Sequence, residues 1–264
     1  MEASFARHLI AGGRRIRARL AWQAACSMSL DERTGMALAC CCEWLHNASL
    51  IHDDIQDGDT IRRNAPALWV EIGIGPAICI GDALISAAYG VLRDIRVAPS
   101  RLIPLLEWVE DAIGQTVAGQ LADLAARRTA VTSLGRYEAV AARKSGPLLG
   151  LPLALVLLAT DPATEGKAMA IIAATAMTDV GVAYQLLDDL GDWTLDQHAD
   201  GRHSLNAVLV EMRRRPAAKA MAAVARRART LLQKARERAG GLPPAIQELV
   251  FWLADHVESG LNAG

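Results

Sequence analysis

Aromatic side chains are scarce in this sequence, 4% of it, with two Phe and three Tyr. That argues against a strand-built core and against a cavity walled by aromatic faces. No Ser/Gly- or Pro-rich linker, run of like charge or low-complexity stretch divides the 264 residues, so a single domain over 1–264 is expected. No internal repeat of solenoid length stands out. An excess of one charge is lacking too: the formal net charge is −1, which leaves no overall footprint for nucleic acid or an anionic membrane. Met1-Glu2-Ala3-Ser4 has no basic start followed by an apolar stretch, and the expected compartment is the cytoplasm. The longest apolar run, Leu148 to Ala159, is short for a bilayer and contains Gly150 and Pro152. The apolar region from Ala168 to Leu187 is interrupted by Asp179 and Gln185. Both read as buried helices, and no stable membrane insertion is expected. The five cysteines, with Cys40-Cys41-Cys42 consecutive, have no metal-type spacing and read as reduced thiols within a helix.

What is present is helix former. Hydrophobic residues make up 52% of the chain, much of it Ala and Leu, which predicts an all-α domain with a large core. Breakers mark the joints. Helices are predicted from about Arg14 to Met28 and, with Asp31 as cap, on to about Ile55, where Gly58-Asp59-Thr60 end the run. A polar passage, Arg62 to Pro66, follows. Further helices are expected over Gly75–Asp94, from Pro99 to about Arg128, from Thr132-Ser133 to about Leu158 and from Asp161-Pro162 to about Trp193. A polar loop, Asp196 to Ser204, precedes two or three closing helices broken at Gly240-Gly241 and Pro243. Helices this long, apolar on more than one face, suit the interior of a bundle of long antiparallel helices.

Two acidic clusters interrupt this pattern: Asp53-Asp54-Ile55-Gln56-Asp57 and Asp188-Asp189-Leu190-Gly191-Asp192, each placed at the end of a helix. In each, the first and last Asp are one turn apart on one face. Like charges at that spacing repel, and the negative end of a helix dipole adds to the penalty. One such cluster alone is an ordinary solvated helix end. Two of them behind long apolar helices suggest carboxylates facing each other across a cavity mouth. Such an arrangement suits two or three Mg²⁺ ions bridging a diphosphate, because Mg²⁺ takes hard oxygen ligands and keeps open positions.

The surrounding residues resemble the trans-isoprenyl diphosphate synthases. Leu45 to Asp57, followed by Arg62-Arg63, resembles their first aspartate-rich motif, and Tyr184 to Trp193 resembles the second. Gly12-Gly13-Arg14-Arg15-Ile16-Arg17 is similar to their entry motif. Gly81-Asp82-Ala83-Leu84, Gly119-Gln120-Leu121-Ala122-Asp123 and Lys144-Ser145-Gly146 follow in the family's order. The resemblance implies an isoprenoid synthase-type helical bundle around a central cavity, and it implies a homodimer. It also implies condensation of isopentenyl diphosphate with an allylic diphosphate. Asp53, Asp57 and Asp188 would then be the main metal ligands, with Asp54, Asp189 and Asp192 in support. Arg62, Lys144 and Gln185 would hold the allylic diphosphate. Arg14, Arg17, His46 and Arg63 would hold the second diphosphate without metal, through forked, charge-assisted hydrogen bonds. Lys144, Ser145 and Gln185 would also steady the cation left by ionisation.

The sequence departs from the family in several places. Ala18 stands where Pro is usual, Arg14 where Lys is usual and Asn64 where Gly is usual. After Trp193 only Asp200-Gly201-Arg202-His203-Ser204-Leu205-Asn206 is found, with Arg202 in the place of a final Lys and the middle Lys-Asp pair missing. Two other readings stay open. A class I terpene cyclase would use the same metals but fold one substrate onto itself, and the few aromatics argue against it. A catalytically silent subunit of a heteromeric synthase would be expected to lack an acidic cluster, and both are complete. Ala48 and Ser49, small residues one turn before Asp53, leave a growing chain room, with Trp44 as a candidate stopper; a product longer than farnesyl is expected.

Overall fold

The structure, a computed structural model, describes residues 13–128, 133–160, 164–198 and 205–263. Helices dominate it, as the composition requires. Helix α1 spans Ile16–Ser27, α2 Glu32–Asp57, α3 Leu68–Ile72, α4 Ile74–Val91 and α5 Pro99–Arg128. They are followed by α6 Leu134–Thr160, α7 Thr164–His198, α8 Ala207–Met212, α9 Ala217–Ala239 and α10 Pro244–Ala263. Helix α2 lies between α1 and α4, α5 packs on α6, α6 on α7, and α7 on α9. Asp31 caps α2 by accepting from the Thr34 N–H at 3.1 Å. Gly58, with φ of 70°, closes it with a bond back to Asp54 O, the left-handed helix stop that glycine permits.

Glycine sets how closely the inner helices approach. A Cβ on Gly119 of α5 would collide with the backbone of Arg143 and Lys144 on α6. On the other side of α6, a Cβ on Gly146 would lie 2.6 Å from the Thr178 hydroxyl, and one on Gly150 2.8 Å from the Ala174 Cα, both on α7. The prolines within α6 have a consequence as well. Pro152 lacks the N–H that would bond the carbonyl of Leu148 four residues earlier. Arg17 of α1 supplies the missing donor, its Nε lying 3.2 Å from Leu148 O. The apolar run from Leu148 to Ala159 is buried in the C-terminal half of α6, with Leu151, Leu153, Leu155, Leu157 and Leu158 at most 1% exposed.

Three stretches, Ile74–Asp94, Leu134–Thr160 and Glu165–Thr194, are long and apolar enough to cross a membrane by length and composition. The run Leu148–Ala159, short by itself, is therefore part of a helix of spanning length. The second and third stretches are 67% and 50% buried in the bundle, whereas only 22% of the first is buried.

Three details differ from the expected elements. The polar passage after α2 is a β-hairpin, Ile61–Arg62 (β1) against Ala65–Pro66 (β2). Its two turn residues, Arg63 and Asn64, have φ of 54° and 62°, the doubly left-handed turn that matches strand twist. Asn tolerates that conformation better than other non-glycine residues, which accounts for Asn64 at a position usually held by Gly. The short helix α3 lies where no element was expected. Helix α7 continues to His198 rather than ending near Trp193, because nothing after Asp192 breaks it. The second acidic cluster therefore lies within a helix rather than at its end, and the dipole penalty falls mainly on the first.

Candidate active site

Asp53 and Asp57 project from the last turns of α2 towards α5 and α6. Close contact at Gly119 brings the next turn of α5 against Lys144. The Lys144 ammonium lies 3.2 Å from Asp123 Oδ2, 3.7 Å from Asp57 Oδ2 and 3.8 Å from Asp53 Oδ2. Gln120 Nε2 donates to Asp57 Oδ1 at 3.4 Å. Three carboxylates from two helices thus share one cation. Burial pushes the Asp53 carboxyl up to about 6; Lys144 pulls it down, and Asp57 pushes it up again.

Asp54 faces the other way. Its side chain is 1% exposed and accepts from Arg62, whose Nε lies 2.8 Å from Oδ1. Arg62 also approaches Asp59 at 3.8 Å. Hairpin and helix end are joined by this pair, and Asp54 is an anchor for Arg62 in the described geometry.

In the second cluster, Asp188 accepts from the Tyr184 hydroxyl, and its carboxyl is pushed up to about 6 by desolvation and by Asp192. Among the described residues no basic side chain forms an ion pair with Asp188 or Asp192. Gln185 is half-buried on the same helix, less than one turn before Asp188. Asp189 turns away from the pair: its Oδ2 accepts the Ala207 N–H at 2.6 Å, and its backbone carbonyl accepts from Asn206 at 3.1 Å. The hydroxyl of Tyr137, a buried residue of α6, also bonds Asp189. Burial, Asp189, Asp123 and Asp188 together raise Tyr137, which places it within electrostatic reach of carboxylates on both α5 and α7.

The basic residues gather beside the first cluster. The Arg63 guanidinium packs on Gly13, in the space a side chain there would fill. Arg17 is lowered to about 10, chiefly by desolvation, while Glu43 pulls it back up and Arg63 pushes it down. Arg63 in turn feels Arg62, Glu43, Asp54 and Arg15. Arg14, exposed, lies close enough to Tyr184 to affect it. His46 and Ser145 are half-buried on α2 and α6. Arg202, the loop around it and Gly12 lie outside the described residues.

Below Asp53 a cleft of about 140 Å³ runs between α2, α4, α5 and α6. Its polar end has Asp53, Gln56 and Gln120, and its apolar lining includes Leu45, Ala48, Ile85 and Ile113. Trp44 is not in that lining and packs instead against both apolar clusters of the core. His52 fills the space above Gly81, with Nε2 3.5 Å from Asp82.

Sequence reading assigned no role to Asp123, Gln120, Tyr137 or Glu43. Gln120 and Asp123 stand within the Gly119–Asp123 motif. Tyr137 precedes Lys144 by two helical turns and so shares its face, a spacing that would have pointed to it. Glu43 is an acid in an apolar helix, which demands a partner.

Among the described residues no three His, Cys, Asp or Glu side chains form a ready-made metal cage. The donor set nevertheless fits Mg²⁺. Asp188 and Asp192 repel each other one turn apart, and Asp53, Asp57 and Asp123 gather around a single ammonium.

An all-α bundle with one aspartate pair at the head of an apolar cleft and another on a neighbouring inner helix is the architecture of the isoprenoid synthases. The polyprenyl synthetase family model matches residues 2–248, and the chain belongs to that family. It is 32% identical over 200 residues to a farnesyl diphosphate synthase of Geobacillus stearothermophilus, a match covering 73% of this chain and 66% of that one. It is 28% identical over 256 residues to a chloroplastic geranylgeranyl pyrophosphate synthase of Capsicum annuum, covering 94% of this chain and 68% of the relative. The chain thus spans about two thirds of these relatives' own length. A solved geranylgeranyl pyrophosphate synthetase from the archaeon Geoglobus acetivorans superposes with a TM-score of 0.82 at 21% identity, over 96% of this chain and 90% of that one, which supports the fold.

Proposed function

We propose that this protein is a Mg²⁺-dependent trans-prenyltransferase that joins isopentenyl diphosphate to an allylic diphosphate and yields a longer linear prenyl diphosphate. The observation that carries this is the convergence of Asp53, Asp57 and Asp123 on Lys144 at the polar end of an apolar cleft. Family membership adds support, since its members are generally metal-dependent. Asp53 and Asp57 on one side and Asp188 and Asp192 on the other would hold two or three Mg²⁺ ions, which supply Lewis-acid neutralisation of a leaving diphosphate. Asp54 and Asp189 act from behind, by fixing Arg62 and the start of α8.

Lys144 draws Asp53, Asp57 and Asp123 together in the metal-free site and, with substrate bound, presents its ammonium to the allylic diphosphate together with Arg62 and Gln185. The allylic C–O bond breaks with its electron pair leaving on the diphosphate oxygen, and an allylic cation remains. Arg14, Arg17, Arg63 and His46 orient isopentenyl diphosphate so that its double bond attacks that cation. A new C–C bond forms, and a proton lost from the adduct passes to the departed diphosphate. Ser145 and Gln185 present dipoles to the cation. The apolar lining of the cleft disfavours water, which would otherwise capture the cation as an alcohol.

The growing chain extends past Ala48 towards Leu45 and Ile85, and the small Ala48 supports a product longer than farnesyl. Ala48→Phe is expected to shorten the product; unchanged product length removes this assignment. Purified chain incubated with Mg²⁺, isopentenyl diphosphate and each allylic primer, followed by product sizing, tests the whole reading. Hydrocarbon or alcohol from a single allylic substrate would identify a cyclase instead. No turnover alone but turnover with an added synthase would identify a silent subunit.

A further inference from the structure

Charge is unevenly spread over the molecule, although the chain nets −1. The turn after α8 and the first half of α9 carry Arg213, Arg214, Arg215, Lys219 and Arg226. Further along α9, three of the cations are matched by acids. Arg227 meets Glu138 at 2.6 Å, Arg236 meets Asp255 and Glu258 at 2.6 Å each, and Arg238 meets Asp179 at 2.8 Å. Among the described residues, Arg215 alone at the turn has a carboxylate, Glu211 at 2.9 Å. Arg213, Arg214, Lys219 and Arg226 are exposed, and none has an ion pair among the described residues. Arg214, Arg215, Lys219 and Arg226 line a shallow basin of about 530 Å³, with Ala222 as its only uncharged member.

Like charges lining one concavity repel. Lys219 also lies in the first turn of α9, whose dipole is positive at that end, so the placement costs stability unless an anion sits there. We propose that this basin is a metal-independent binding site for the diphosphate group of a soluble phosphorylated ligand. The guanidinium forks of Arg214 and Arg226 and the Lys219 ammonium, beside Arg215 held by Glu211, suit the spread charge of a diphosphate. A membrane is less well matched, because the large exposed hydrophobics all lie outside the 205–240 segment and leave nothing to insert. Single-stranded nucleic acid is less well matched too, because the 213–238 segment has no aromatic residue on which bases would stack. The basin is also near the proposed chemistry. Helix α8 begins at the Ala207 N–H bonded to Asp189 and ends at Met212, a rise of roughly 9 Å from its six residues. Choosing a diphosphate over other phosphate esters rests on the prenyltransferase reading; the anion site itself does not.

Calorimetric titration of the full chain with inorganic diphosphate in EDTA tests this, because metal-dependent binding at the aspartates is then silent. Arg214→Gln/Arg226→Gln is expected to lose one diphosphate equivalent, or to weaken that equivalent at least tenfold. Arg63→Ala is expected to leave it in place. Both basin substitutions are on exposed side chains, so the melting temperature should hold. Uptake by the double variant equal to that of the wild type would overturn the site. Binding of the wild type to phosphatidylglycerol vesicles but not to phosphatidylcholine vesicles, without uptake of diphosphate, would make the surface a membrane contact and also overturn it. Loss of one equivalent in a chain that shows no prenyl transfer would uphold the basin while removing the reading of the active site.

Discussion

Removing Arg62 should damage this protein even before substrate is considered. Its partner Asp54 is 1% exposed, and Arg62 is the counter-charge seen beside it. Arg62→Ala strands a buried carboxylate, which costs about 3 kcal/mol. For a chain of this size that corresponds to a drop in melting temperature of roughly 6–12 °C. Adding Asp54→Leu to that variant should recover part of the loss, since the orphaned charge goes with it. Scanning calorimetry on the two variants decides it, and a melting temperature unmoved by Arg62→Ala would refute the anchoring role. A second consequence concerns protons. Asp53 and Asp188 both sit near 6 instead of 3.8, so over that window the metal-free fold keeps protons that the unfolded chain has released. These groups therefore contribute stability that is fully present below 3.8 and is lost as pH rises through about 6. Mg²⁺ competes with the same protons, so its affinity should rise across that window. Titration of Mg²⁺ with inorganic diphosphate is expected to show binding at least about tenfold weaker at about pH 5 than at about pH 7.5. Asp188→Asn should flatten that dependence.

At the level of elements, the α5–α6 contact determines whether Asp123 reaches Lys144. Gly119 and Gly114 offer a matched pair on one helix: a Cβ on Gly119 strikes the α6 backbone, while one on Gly114 meets nothing within 4 Å. Gly119→Ala should therefore cost about 1–3 kcal/mol by forcing the helices apart, and it should depress turnover further by moving Asp123 from Lys144. Gly114→Ala should be stabilising by about 0.5–1 kcal/mol, as a helix-interior glycine is replaced. Denaturant melts and initial rates for both would show it; equal effects at the two positions would remove the argument. These contacts also show what was readable beforehand. Periodicity and breakers placed α2, α4, α5 and α6 to within a few residues, because each carries a long apolar face and has a cap, Gly or Pro near at least one end. The aspartates stood out because their spacing is costly in any helix. The one-turn spacing put Asp53 with Asp57 and Asp188 with Asp192, but what the middle carboxylates bond instead was not readable. Asp54 and Asp189 turn away because of partners distant in sequence or outside the helix, Arg62 for one and the Ala207 N–H for the other. The hairpin was missed because two residues per strand are too few to alternate, and its turn uses Arg63-Asn64 rather than a glycine pair.

For the molecule as a whole, the outer side of the cleft is the surface that matters. Helices α4 and α5 are not packed along each other, and both present apolar residues outward. Ile74 and Ile78 on α4 are 51% and 41% exposed, and Ile103, Val117 and Leu121 on α5 are 62%, 54% and 64% exposed. Val117 and Leu121 also line the cleft, so its outer wall is unfinished in a single chain. We propose that a partner covers these residues. A bilayer is a poor one, since Asp82 lies exposed in the middle of α4 and α5 carries Glu107, Glu110 and Asp111. A second copy, meeting the first along α4 and α5, would bury the exposed isoleucines and close the cleft against water. Light scattering on the purified chain should therefore give twice the 28.2 kDa of one chain. Val117→Asp/Leu121→Lys should shift the mass to that of a single chain and reduce prenyl transfer together with it, because a cation formed in an open cleft is quenched by water. The released product should then include prenyl alcohol. A wild-type chain that is monomeric at micromolar concentration and fully active would show that the cleft needs no second wall.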